Sequence, residues 1–294
     1  MFIWIYRILF LPLWLLTLPG YLLHIRKRGG YRERFGTRFG LGLQVPQKGP
    51  GAKRVWIQAV SLGEMLAIEP LLKALAADGG IEIYLTVTTS TGYGLAQEKY
   101  RDLAVGISYF PVDFYPFSAR VWEGIDPDVA ICAETELWPE HTRQAVKRGV
   151  PFLLVNGRLS DRSFKRAMRL RGFFRAILSN AAEIFACSEL DRERYVALGA
   201  PADRVTTTGN IKVDVTIEPL LDAVTRASMR AEMGLSSGFL LLGSSTWPGE
   251  EEMLVEALRA VREREPNARL LMVPRHAERR HEIEAMLRER ASDF

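Results

Sequence analysis

Val55-Trp56-Ile57-Gln58-Ala59-Val60 runs nearly unbroken and apolar into Ser61-Leu62-Gly63-Glu64, and Glu64 opens a stretch to Ala77 with helical apolar spacing. An apolar run that turns at once into an amphipathic helix reads as a strand buried on both faces, followed by a covering helix. The unit repeats. Further runs rich in Val, Ile, Leu and Phe lie at 81–87, 107–111, 128–133, 150–155, 183–187, 204–208, 239–243 and 269–273. Helical spacing fills 136–148, 161–179, 249–264 and 276–290. This alternation predicts an α/β protein on a parallel sheet covered on both faces.

Seven strand candidates precede a seam at 209–219, enough for one doubly wound domain, and two more βα units start afresh at 239. The reading is four regions: 1–25, 26–54, a complete domain over 55–214, and the start of a second over 215–294. Two strands cannot cover their own faces, so the second region is expected to be incomplete and loosely held.

The chain has 294 residues, 48% of them hydrophobic, which excludes a disordered or collagen-like protein. Its net charge of +4 is unevenly spread: residues 1–54 carry +9 and the remainder −5. A mildly acidic body argues against nucleic acid as a partner. Cys132 and Cys187 each sit in an apolar run and read as small core hydrophobes, not a disulfide framework. No Cys or His spacing suggests a metal site.

Phe2 to Leu23 is apolar apart from Arg7 and a few neutral polar groups, about the length that crosses a bilayer. Pro12, Pro19 and Gly20 are expected to kink or break a helix there, which makes an interfacial anchor an equal alternative. Arg26, Lys27, Arg28, Arg32, Arg34 and Arg38 follow. Such a basic flank faces the cytoplasm and attracts anionic lipids, so the expected place is the cytoplasmic face of a membrane.

In open α/β sheets ligands gather beyond the carboxyl ends of the strands, and each such end here has two readings. Ser61-Leu62-Gly63-Glu64 is a capping box, or it presents Glu64 as a general base with Gly63 allowing close approach. Thr88-Thr89-Ser90-Thr91-Gly92 caps a helix, or holds a phosphate or sugar. Glu134-Thr135-Glu136-Leu137-Trp138-Pro139 places acids beside an aromatic, with Glu134 nearest the strand. Arg158 either holds an anion or pairs with Glu134 or Glu136, and Ser160 is an N-cap. Lys212 is a solvated linker lysine, or neutralises a leaving phosphate. Gly243-Ser244-Ser245-Thr246 reads as a backbone cradle for an anion, and Arg275-His276 as surface charge or a phosphate-binding pair.

Taken in order, these segments resemble the 3-deoxy-D-manno-octulosonic acid (Kdo) transferases. The matching pieces are the apolar N-terminus, Tyr31-Arg32-Glu33-Arg34-Phe35-Gly36, Ser61 to Glu64, Thr88 to Gly92, Glu134 to Pro139, Gly209-Asn210-Ile211-Lys212-Val213-Asp214, Gly243 to Thr246, and Pro274-Arg275-His276-Ala277-Glu278-Arg279. The resemblance implies a GT-B glycosyltransferase of two Rossmann-like domains at the inner membrane of a Gram-negative cell. CMP-Kdo would be the donor, the lipid A precursor the acceptor, and no metal or other cofactor would be needed. It implies Glu64 as general base, Glu134 and Lys212 as transition-state stabilisers, and Arg275 and His276 as a CMP-binding pair. Many relatives have histidine where Trp247 stands. The family also continues with glycine-rich segments and a final helix that this chain lacks, so the donor pocket is expected to be incomplete. Two alternatives follow: a non-catalytic or fragmentary acceptor-binding remnant, and a GT-B enzyme using a UDP-sugar.

Overall fold

The structure, a computed structural model, describes residues 2–28, 34–214, 221–235 and 238–290. It divides into two compact units, Met1–Thr216 and Ile217–Phe294.

The first unit is a seven-stranded, all-parallel sheet: β1 (Lys53–Ala59), β2 (Ile81–Val87), β3 (Gly106–Tyr109), β4 (Val129–Ala133), β5 (Phe152–Gly157), β6 (Glu183–Ala186) and β7 (Val205–Thr207). Its order is β3-β2-β1-β4-β5-β6-β7. The strand order reverses between β1 and β4, paired from Val55↔Val129 to Gln58↔Cys132. Successive side chains of a strand point to opposite faces. Trp56 therefore joins one core with Trp122, Phe152 and Leu154, and Ile57 joins the other with Leu72, Leu85 and Tyr100.

All nine expected strands form. The helices depart in two ways. The stretch from Glu64 to Ala77 is two helices, α2 (Leu62–Ala67) and α3 (Glu69–Ala76), because Pro70 fits only the first turn of a new helix. Residues 161–179 likewise give α7 (Asp161–Arg169) and α8 (Arg171–Leu178), meeting at Leu170. The remaining helices of the unit are α1 (Phe2–Arg28), α4 (Ser90–Lys99), α5 (Tyr115–Ile125), α6 (Pro139–Arg148) and α9 (Glu189–Leu198).

The N-terminal expectation needs correction. α1 runs unbroken through Pro12 and Pro19, and among the described residues no helix is long and apolar enough to cross a membrane. Its first turns are bolted to the folded unit instead. The Tyr6 hydroxyl donates to Asp113 Oδ2 at 2.7 Å, and Arg7 clasps Glu140 with two bonds of 2.8 Å. Phe10 stacks on Phe114 with ring centroids 5.5 Å apart. Ile8, Leu13 and Leu16 point outward and are exposed. Of the expected basic collar, Arg32 and the side chains of Arg26, Lys27 and Arg28 lie outside the described residues. Arg38 is no surface charge: it is buried and donates to the Thr88 carbonyl.

The second unit holds a two-stranded parallel sheet, β8 (Leu240–Thr246) and β9 (Arg269–Pro274), with α10 (Ala223–Glu232), α11 (Glu250–Arg262) and α12 (Arg280–Arg290). β8 extends three residues past its expected end, so Ser244 to Thr246 belong to the strand, with a register irregularity among them. Leu242, Met253 and Val273 are exposed.

Candidate active site

β1 and β4 flank the reversal point, so their carboxyl ends border the crevice in which such sheets bind ligands. β1 delivers Ser61 and Glu64. Ser61 caps α2, its Oγ accepting from the Glu64 N–H at 3.4 Å. Glu64 folds back: Oε2 accepts from the Val60 N–H at 2.7 Å and Oε1 from the Ser61 hydroxyl at 3.2 Å. The capping box thus exists and is what aims the carboxylate. Burial pushes the Glu64 pKa above the usual carboxylate value. The Val60 N–H opposes this, the charge of Glu134 adds to it, and Ser61 and Lys212 oppose it.

β4 delivers Glu134, which sits at φ 58. A non-glycine residue in this left-handed region carries strain, and such positions concentrate at functional sites. Its N–H is held by the Val155 carbonyl at 2.9 Å. Its Oε1 receives Lys212 Nζ at 2.6 Å, from 78 residues along the chain. Lys212 is carried on a single helical turn, Ile211–Asp214. Arg158, expected either to hold an anion or to pair with Glu134 or Glu136, is exposed, and those two carboxylates engage Lys212 and Trp138 instead.

Two functional candidates escaped the sequence reading. Glu136 accepts from Trp138 Nε1 at 2.6 Å. Burial, then the charge of Glu64, raise its pKa to about 7. Asn156, at φ 56 near the end of β5, is buried and uses Oδ1 to accept from the Ile211 N–H at 3.1 Å and from Cys187 Sγ at 3.0 Å. It fixes the turn bearing Lys212. The local signal was Asn156-Gly157 at a strand end, since asparagine tolerates this backbone region. Cys187 is half-buried, and its thiol pKa is pushed up to about 11 chiefly by burial.

β2 ends beside β1, and the N–H groups of Thr88 and Thr89 both donate to the Val60 carbonyl. Thr89 caps α4, accepting from the Gly92 N–H at 3.2 Å. The Thr88 hydroxyl accepts from Gln58 Nε2 at 3.1 Å. A side chain at Gly92 would approach Val87 Cγ1 to 2.6 Å, so the turn requires glycine. Ser90 begins α4, and Gly63 lies open in the first turn of α2.

Within the second unit, the Arg275 N–H donates to the Thr246 carbonyl at 3.1 Å, and His276 meets Trp247 edge-on with centroids 5.4 Å apart. The Thr246 hydroxyl turns inward to Glu251 Oε1 at 2.8 Å, and Arg279 clasps that buried carboxylate at 2.8 Å. Ser245 adopts φ 58 and is exposed. Just after the expected anion cradle, the Trp247 N–H is taken by Glu250 Oε2 at 2.8 Å. Among the described residues no group of three His, Cys, Asp or Glu side chains is arranged to hold a metal ion.

The sequence profile of a family described as "3-Deoxy-D-manno-octulosonic-acid transferase (kdotransferase)" matches residues 31–215. Among curated proteins, the chain is 33% identical to a 3-deoxy-D-manno-octulosonic acid transferase of Haemophilus influenzae, over 90% of this chain and 61% of that protein. It is 34% identical to the Bordetella pertussis transferase of the same name, over 89% and 61%. It is 31% identical to a bifunctional glycosyltransferase/methyltransferase of Fusobacterium nucleatum, over 80% of this chain and 36% of that protein. The chain therefore spans about three fifths of the length of the two transferases, and less of the bifunctional protein. Among solved structures, UDP-GlcNAc 2-epimerase of Neisseria meningitidis superposes with a TM-score of 0.58 at 14% identity, over 80% of this chain and 69% of that one. The Listeria monocytogenes putative UDP-N-acetylglucosamine 2-epimerase gives 0.58 at 14%, over 80% and 66%. At that identity the likeness shows the fold alone, a GT-B-like α/β architecture. By the profile match over most of its length and by its transferase relatives, this chain belongs to the 3-deoxy-D-manno-octulosonic acid transferase family.

Proposed function

We propose that this protein transfers Kdo from CMP-Kdo to a sugar hydroxyl of the lipid A precursor, without a metal and with inversion. The observation that carries the reading is the convergence of Glu64, Glu134 and Lys212 at the reversal point of the sheet. Glu64 Oε2 or Oε1 takes the proton from the attacking hydroxyl. A raised pKa makes that carboxylate a better base. Lys212 faces negative charge growing on the departing CMP phosphate, and Glu134 holds its ammonium in place. Glu136, which feels the charge of Glu64, takes up a proton near neutral pH. Arg275 and His276 bind the donor phosphate, with Ser244 and Ser245 beside them. Thr88, Thr89, Ser90 and Arg158 border the acceptor sugar. The outward apolar face of α1 rests on the inner membrane from the cytoplasmic side, with the neighbouring basic residues on anionic headgroups.

The test is Glu64→Gln, which keeps the shape and most of the capping bonds. It is expected to lower kcat by roughly 10²–10⁴-fold, the range for a lost general base, with little change in melting temperature. Transfer at the normal rate would show that Glu64 is only a helix cap.

A further inference from the structure

A cavity of about 530 Å³ lies between α1 and the strand-end loops. Phe10 and Trp14 of α1, Phe35 and Phe39, and Phe110 and Trp138 wall it with rings. Arg38 and Thr88 bring a guanidinium and a peptide group to this lining. The size falls within the roughly 300–1,000 Å³ of small-molecule sites. An apolar cavity of this kind is poorly hydrated and favours an apolar occupant over water. Trp138 connects it to the candidate active site: the indole ring faces the cavity, while its N–H donates to Glu136, whose pKa responds to the charges of Glu64 and Glu134. Thr88 belongs to both places as well. The outer side of α1 carries the exposed Ile8, Leu13 and Leu16, so the helix that walls the cavity also presents a lipid-compatible face.

We propose that this cavity is a subsite for one alkyl chain of the acceptor, an amphiphile whose hydroxyl-bearing head lies at Glu64. The inference rests on the acceptor reading above and adds a specificity element: α1 measures the lipid tail while the strand ends hold the sugar. The acceptor is favoured over a bilayer phospholipid because Trp138 joins the cavity wall through its N–H to Glu136, which feels the charge of Glu64, the group that receives the acceptor's hydroxyl.

The probes are N-acyl glucosamine 1-phosphates with chains from hexanoyl to decanoyl, titrated calorimetrically as monomers. Affinity for the unaltered protein is expected to rise about fourfold for each methylene buried. Thr17→Trp fills the cavity from an exposed position on α1 and is expected to flatten the series, lowering decanoyl affinity at least tenfold. Leu18→Trp, also on the lining, is the second variant should the first disturb α1. A chain-length slope unchanged in a folded variant would overturn the proposal, as would equal affinity for decylphosphocholine. The two readings fail separately. Normal transfer by Glu64→Gln removes the base assignment and leaves the slope standing, whereas a slope indifferent to Thr17 and Leu18 removes the subsite and leaves the base.

Discussion

Asn156 exemplifies the residue scale. One side-chain oxygen accepts from the Ile211 N–H and from the Cys187 thiol, and so joins β5 to the turn that carries Lys212. Asn156→Ala leaves the partly buried Ile211 N–H without its acceptor, at an expected cost of about 1–3 kcal/mol in urea-induced unfolding. Under the proposed mechanism it should also lower kcat more than it raises the donor KM, because Lys212 acts on charge that grows in the transition state. Asn156→Gly eases the φ of 56 but restores neither hydrogen bond, so it should recover part of the stability and none of the turnover. Glu64, Glu134 and Lys212 were legible as polar residues at strand ends or in a seam, and the family resemblance gave them roles. Their convergence was not legible, because Glu134 and Lys212 meet only once β4 and the post-β7 turn are folded together. Arg158 lies nearer Glu134 in sequence and would have been the natural partner. Glu136 read as one of two acids beside an aromatic, and only burial reveals its raised pKa.

At the scale of elements, α6 is pinned from two sides. The Asp113 carboxylate accepts from the N–H groups of Glu140 and His141 at 3.0 and 2.9 Å, capping the helix from a distant loop. His141 is buried among Trp56, Phe110, Trp122 and Phe152, and accepts from Trp122 Nε1 at 3.1 Å. Burial lowers its pKa to about 3 from an ordinary 6.5. The unfolded chain therefore takes up a proton at this histidine first as pH falls. Stability present above pH 6.5 is lost progressively toward pH 3. Asp113, raised by burial to about 6, acts in the opposite sense: its protonated form favours the fold below about pH 4, and that contribution disappears as pH rises through 6. His141→Gln, which retains an acceptor for Trp122, should flatten the decline of melting temperature below pH 6.5. An unchanged slope would mean that this histidine is protonated within the fold. α1 offers a second test. Glu140 is fully buried, so Arg7→Met leaves its carboxylate without that cation, though still bonded to Gln144 Nε2 at 2.6 Å, and should cost about 3 kcal/mol. Strand positions were legible throughout, since two-sided burial writes itself as an apolar run. The splits at Ile68 and Leu170 were hidden, because the apolar spacing continues across both junctions.

Across the molecule, the two units differ in how much sheet they bury. Seven strands with two cores stand against two strands with Leu242 and Val273 exposed. Hydrogen exchange should therefore be slowest in β1, β4 and β5, and faster by orders of magnitude in β8 and β9. Equal protection in both sheets would contradict this ranking. The restart of βα alternation after residue 214, beside the division between Thr216 and Ile217, was readable. The order of the large sheet was not, because a parallel run of strands does not say where the winding reverses. That reversal also governs how the chain is made. Within each half, every strand pairs with its sequence neighbour, and only β1 with β4 crosses between halves. During translation, at roughly 5–20 residues per second, β1 emerges with one edge bare and waits several seconds for β4. Over that interval Val55, Trp56 and Ile57 offer an open, apolar hydrogen-bonding edge to any passing strand. Ribosome-bound chains arrested after β3 should recruit chaperones, and those arrested after β4 has left the exit tunnel should release them.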